Sequence, residues 1–153
     1  MPKDIEELLP GAIETFSARK LHCAETVLST MARYWEQDMT HIPRIATAFG
    51  GGMASMQRDC GAFTGALMAI GLILGREEGG DRIKAYAAAR AFMAWFEGNH
   101  SRICREIVGT DFSDPGQMAR FSAPGGGHEM ICEPLVAEVC RYLARTIERR
   151  GKE

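Results

Sequence analysis

Residues 60–75 read CGAFTGALMAIGLILG, and this stretch decides the fold. It carries no charge, shows none of the alternation of a half-exposed strand, and predicts a compact apolar helix over Cys60–Leu74. Gly75 and the Gly79-Gly80 turn end it. Gly61–Gly75 spans 15 residues, short of the roughly 20 that cross a bilayer. No stable membrane insertion is expected.

Working outward, Gly50-Gly51-Gly52 predicts a loop before this helix. On the far side Asp81 has the character of an N-cap for a helix through Phe96. Upstream, Ile13, Phe16, Leu21, Ala24, Val27, Leu28 and Met31 follow a helical rhythm and predict one helix over Ala12–Tyr34. A polar break covers Trp35–Pro43, and Pro43 opens a short helix toward Phe49. His100–Val108 predicts a shorter helix ending at Gly109. Asp111–Gly127 is rich in Pro, Gly, Asp and Ser and predicts a loop with one helical turn near Met118. Cys132–Arg149 closes the chain as a helix, with Pro134 tolerated in its first turn. The expectation is an all-α protein: a single-domain helical bundle over residues 1–153 with Gly-rich connecting loops.

Composition bounds the function. The chain has 153 residues, 46% hydrophobic and 25% charged, with a formal charge of −2. That is an ordinary globular balance, with no basic excess suited to nucleic acid. The basic residues from Arg145 to Lys152 suit a solvated helix end. The acidic start, Met1–Pro10, lacks a basic region followed by an apolar run, so a cytoplasmic protein is expected. There the five cysteines at 23, 60, 104, 132 and 140 point to redox chemistry, metal binding or core packing rather than structural disulfides.

Cys60 stands where a glycine loop meets a helix start. Free N–H groups and the positive dipole end there stabilise a thiolate, Arg58 helps and Asp59 opposes. The alternative is a small buried residue. Cys104 lies between Arg102 and Arg105, which either lower its pKa or form an exposed face. Cys132 begins the last helix, whereas Cys23 reads as mid-helix packing. Cys140 lies about 12 Å along the helix from Cys132, too far for a disulfide, and is expected in the core. No Cys-x-x-Cys pair occurs, so any joint site is assembled from separate helices.

Gly61, Gly65 and Ala69 share a helix face, with Gly71 and Gly75 beyond. Tight packing explains Gly71 and Gly75. At Gly61 and Gly65 the bare face either packs or opens Cys60 to a partner thiol or a ligand, which makes both candidate cofactor-contacting positions. His128 and Cys132 have zinc-compatible spacing, but Gly125–Gly127 place His128 in a loop. A surface or capping role is expected for each histidine, and Glu25, Glu129 and Glu133 read as solvated carboxylates.

These residues resemble a bacterial and archaeal family of small helical proteins described as redox-active and defined by four separated cysteines and a Cys-Gly-Ala-x-x-Gly motif, the C_GCAxxG_C_C family. The motif stands as Cys60-Gly61-Ala62-Phe63-Thr64-Gly65, after Ala48-Phe49-Gly50-Gly51-Gly52. The first family cysteine is similar to Cys23 in His22-Cys23-Ala24-Glu25. The third is similar to Cys104 in Cys104-Arg105-Glu106-Ile107-Val108-Gly109, and the fourth to Cys132 ahead of Leu135-Val136. The resemblance covers about residues 21–149 and leaves Cys140 outside the pattern. The chain is also distantly similar to the C-terminal domain of a split-Soret cytochrome c, without a haem-attachment sequence. The resemblance raises Cys23 above packing and implies a redox role, but no cofactor, substrate or redox partner.

Three readings follow. In the first, Cys60 cycles between thiol and disulfide with Cys23, Cys104 or Cys132, as in a thiol–disulfide oxidoreductase or electron carrier. In the second, the same four residues bind zinc or an iron–sulfur cluster. In the third, the protein is a helical interaction module whose cysteines pack and in which the small-residue face of the Cys60 helix or the apolar Tyr86–Phe96 segment forms a homo-oligomer interface.

Overall fold

A computed structural model describes residues 4–148. It contains seven α-helices: α1 (Ile5–Ser17), α2 (Cys23–Tyr34), α3 (Gly61–Leu74), α4 (Ile83–Asn99), α5 (Cys104–Val108), α6 (Pro115–Ser122) and α7 (Glu133–Thr146). A 3-10 helix covers Arg44–Phe49, and a π-helical turn, His128–Cys132, leads into α7. Among the described residues there is no strand, only an isolated antiparallel bridge between Asp59 and Ile103. The all-α expectation holds. None of the described helices is long and apolar enough to cross a membrane.

The single helix expected over Ala12–Tyr34 is two. Arg19 adopts a left-handed φ of 61°, and the Lys20 N–H turns back onto the Thr15 carbonyl at 3.1 Å. A new helix then starts at Cys23, because the Glu25 carboxylate accepts from the His22 N–H at 3.0 Å and closes a capping box. Apolar periodicity runs through this corner unbroken, which is why it conceals the break. Cys23 is therefore a helix-start residue, not a mid-helix one.

α2 is the central helix. Ala24 through Ala32 are all buried, and the two threonines among them bond back to α2's own backbone, while the Ser29 hydroxyl has no partner in the described residues. Thr26 donates to the His22 carbonyl at 2.7 Å and Thr30 to the Thr26 carbonyl at 2.6 Å. Glu25 is buried rather than solvated, at 8% exposure, and its second oxygen accepts from the Thr47 hydroxyl at 3.1 Å. α3 crosses α2 closely because Gly65 has no side chain: a Cβ there would lie 2.8 Å from the Ala24 carbonyl oxygen.

Gly71 corrects the packing expectation. It is exposed, with nothing within 4 Å of where its Cβ would be. α4 docks through Phe92 and Phe96, which join Phe63, Trp95 and Tyr142 in an aromatic cluster, and leaves Ile83 and Tyr86 outward.

Two further differences lie near the end of the chain. Asp114 caps the Gln117 N–H at 3.0 Å and Pro115 preorganises the first turn. The expected loop therefore holds the two-turn helix α6. The last helix ends at Thr146, and Arg149, Arg150 and Lys152 of the basic cluster lie outside the described residues.

Candidate functional site

Cys23, Cys60, Cys104 and Cys132 come from four separate segments, and the fold brings all four to the wall of one cavity. It measures about 30 Å³, roughly two to three times the space one water needs. Gly61, Ala62, Ile107, Val108, Leu135 and Val136 complete an uncharged wall. Cys140 is fully buried in the apolar core and does not line it.

Helix starts deliver three of the sulfurs. Cys23 is the first residue of α2, Cys60 the N-cap of α3 and Cys104 the first residue of α5. Cys132 ends the π turn where it enters α7. Two reciprocal hydrogen bonds hold the Cys60 and Cys104 segments together. The Cys60 N–H donates to the Arg102 carbonyl at 2.6 Å, and the Cys104 N–H donates to the Arg58 carbonyl at 2.7 Å.

Glycine then makes room. A Cβ on Gly61 would lie 2.1 Å from Cys23 Sγ, so the bare Cα is the seat of that sulfur. At Gly65 the equivalent space is filled by the Ala24 backbone, which leaves no room for a ligand there.

The thiolate expected at Cys60 does not form at neutral pH. Burial pushes this thiol up to about 12, and the neighbouring Cys23 adds to the rise against the Ala62 and Phe63 N–H groups. A rise from 9.0 to about 12 corresponds to about 4 kcal/mol. An exposed helix dipole is worth only about 0.3–1 kcal/mol, so desolvation wins.

The same holds at Cys104, raised to about 11 by burial first and Cys23 second, with the Gln57 side chain pulling the other way. Its flanking arginines are engaged elsewhere: Arg102 with Asp59 at 3.0 Å and Arg105 with Asp111 at 3.3 Å. Burial also raises Cys23 and Cys132; around Cys23 the Gly51, Ala24 and Gly61 N–H groups offset part of the rise. The reduced site is a set of four neutral thiols in a closed apolar space.

Two features beside the cavity escaped the sequence reading. His128 is buried, at 7% exposure, rather than at the surface. Its ring lies 4.2 Å from that of Phe16, and Nδ1 donates to Glu133 at 3.4 Å, which leaves Nε2 buried without a partner. Burial, then Arg19 and His22, lower its pKa to about 4, so the imidazole is neutral. A histidine depressed from 6.5 stabilises the fold above that pH and loses the contribution as pH falls toward 4. Stability is expected to drop by about 3 kcal/mol over that range for this group. In urea titrations, His128→Phe should show a shallower acid dependence than wild type; parallel profiles would contradict the assignment.

The second feature is the segment from Gly51 to Gln57. Gly51, Gly52, Met53, Ala54 and Ser55 all have φ between 51° and 72°, and Gln57 has 56°. A run of left-handed residues costs about 1–2 kcal/mol for each that is not glycine. Neighbouring contacts hold it in place. The Gln57 side chain donates to the Thr110 carbonyl at 2.6 Å and accepts from the Phe112 N–H at 2.9 Å. Gly-Gly-Gly signalled a loop, but nothing local signalled that its left-handed course continues through Met53, Ala54 and Ser55.

As placed, no group of three or more His, Cys, Asp or Glu among the described residues is close enough to hold a metal ion.

No curated protein and no solved structure matches the chain. Residues 21–146 match the family described as "Putative redox-active protein (C_GCAxxG_C_C)". The matched span contains the four cavity cysteines and α2 through α7. The chain belongs to the C_GCAxxG_C_C family.

Proposed function

We propose that Cys23, Cys60, Cys104 and Cys132 form a thiol–disulfide redox centre. The observation that carries this reading is their convergence on one small apolar cavity, from positions spread over more than a hundred residues of chain, while Cys140 stays outside it. Forming one disulfide removes two protons and two electrons from two of these thiols; an external disulfide or peroxide accepts them. The partners are residues of different helices, so oxidation staples the helices together. High thiol pKa values keep the reduced state unreactive until a thiol is exposed or loses its proton.

Peptide mapping by mass spectrometry after mild oxidation tests this. A disulfide that includes Cys60 and is reversed by reductant is expected, with Cys140 remaining a thiol. If all five cysteines stay free, the redox reading is lost.

The same convergence supports a second reading. Closing four thiolates by small movements makes a ligand set for zinc, in a cavity with room for one ion. Metal analysis after anaerobic purification separates the two: stoichiometric metal replaces disulfide cycling with metal binding.

A further inference from the structure

Of the four cavity cysteines Cys60 and Cys104 are buried, at 8% and 7% exposure, while Cys23 and Cys132 are partly exposed. Some part of the surrounding structure must therefore move before a partner reaches the buried Cys104 or Cys60 sulfur. α2, α3 and α7 are poor candidates, because each contributes a run of fully buried core residues. The left-handed segment differs in three ways.

Its outer residues Ala54, Ser55 and Met56 are exposed and contribute nothing to the core. Its inner residues lie against two of the four cysteines. The Gly51 N–H faces Cys23, and a Cβ on Gly52 would lie 2.7 Å from Cys104 Cβ. Its ends are fixed: Gly50 lies against His22, and Arg58 accepts from the Cys104 N–H. Backbone hydrogen bonds from the Ala54, Ser55, Gln57 and Arg58 N–H groups to the Ala48, Gly50, Gly51 and Gly52 carbonyls hold the strained backbone closed, and their opening lets it relax toward solvent.

We propose that residues 51–57 are the gate of the thiol cavity, opening by relaxation of the left-handed backbone and exposing Cys104 and Cys23 before Cys60 and Cys132. The proposal concerns access to the cavity named above and does not need those thiols to form a disulfide. Labelling of fully reduced protein tests the gate, while disulfide mapping tests the redox reading, so either fails without the other.

The experiment is native-state alkylation with iodoacetamide in a phosphine reductant, followed residue by residue by mass spectrometry. Static exposure predicts that the partly buried Cys132 reacts ahead of the buried Cys104; a gate at 51–57 predicts the reverse order. Cys140, at 0% exposure in the core, serves as the clock for global unfolding.

Position 54 then tunes the gate without touching the core. Ala54→Val puts a β-branched residue at positive φ and should speed Cys104 labelling about fivefold. Ala54→Asn suits that φ and should slow it about threefold. Cys140 labelling should change by no more than the same factor, because strain relieved on opening is also relieved on unfolding, and should stay far slower than Cys104 labelling in both. Cys132 labelling first in wild type would overturn the gate. So would variants that leave the Cys104 rate unaltered, or a Cys104 that labels no faster than Cys140.

Discussion

Above pH 9 the reduced protein is expected to lose stability steeply and to unfold cooperatively within about two pH units. Cys60 and Cys140 are raised from 9.0 to about 12, and Cys104 to about 11, with burial the first cause in each. In each case the folded state holds the proton more tightly than the unfolded chain. The contribution is fully present below pH 9 and is lost as pH rises toward the folded values. Each such group removes about 1.4 kcal/mol per pH unit, so three remove about 4.

A domain of ordinary stability, about 5–15 kcal/mol, cannot absorb that for long. Circular dichroism and thiolate absorbance followed together, in reductant and without oxygen, provide the check. Thiolate should appear in step with loss of helicity. A thiolate signal titrating near 9 while the helices stay intact would show the thiols to be accessible and the closed cavity to be wrong. Oxidation is expected to move the transition upward, because a disulfide removes two of the ionising thiols.

Gly65→Ala and Gly71→Ala should shift stability in opposite directions, although both glycines lie in α3 six residues apart. At Gly65 the new methyl meets the Ala24 carbonyl oxygen at 2.8 Å, its Cα at 2.9 Å and its carbonyl carbon at 3.3 Å. All three are backbone, so no rotamer change relieves the clash and α2 must back away. Overpacking of this kind costs about 3 kcal/mol, a fall in Tm of about 10 °C for a chain this long.

At Gly71 there is nothing within 4 Å, so alanine adds only helix propensity, about 0.5–1 kcal/mol in favour. Thermal melts of the two variants decide it. Shifts of the same sign would mean that the α2–α3 crossing is misplaced. Because Gly61 and Gly65 lie on the same crossing, backing α2 away also withdraws Cys23 from its seat. Gly65→Ala should therefore perturb thiol reactivity as well.

Those two glycines show how legibility divides. Their helix was plain in the sequence, because an uncharged run bounded by glycine turns admits little else. Which glycine packs and which faces solvent was not, because that depends on where α2 crosses. The corner at Arg19 was hidden for a similar reason: apolar spacing continues across it, and only the Glu25 cap and a left-handed residue reveal it. His128 read as a loop residue after three glycines. The ring packs on Phe16, from α1 far along the chain, and bonds Glu133 just past the π turn.

By itself the sequence determined an all-α fold and the helix start that carries Cys60, beside a family resemblance that leaves out Cys140. These follow from local physics: helical periodicity, glycine stops and residue spacing act within a few turns. Only the tertiary structure decided that the four cysteines share one cavity. It also decided that they are neutral thiols rather than thiolates, and that a left-handed segment lies against Cys23 and Cys104. Desolvation depends on every wall at once, and those walls come from α2, α3, α5 and α7. No single stretch of sequence contains that sum.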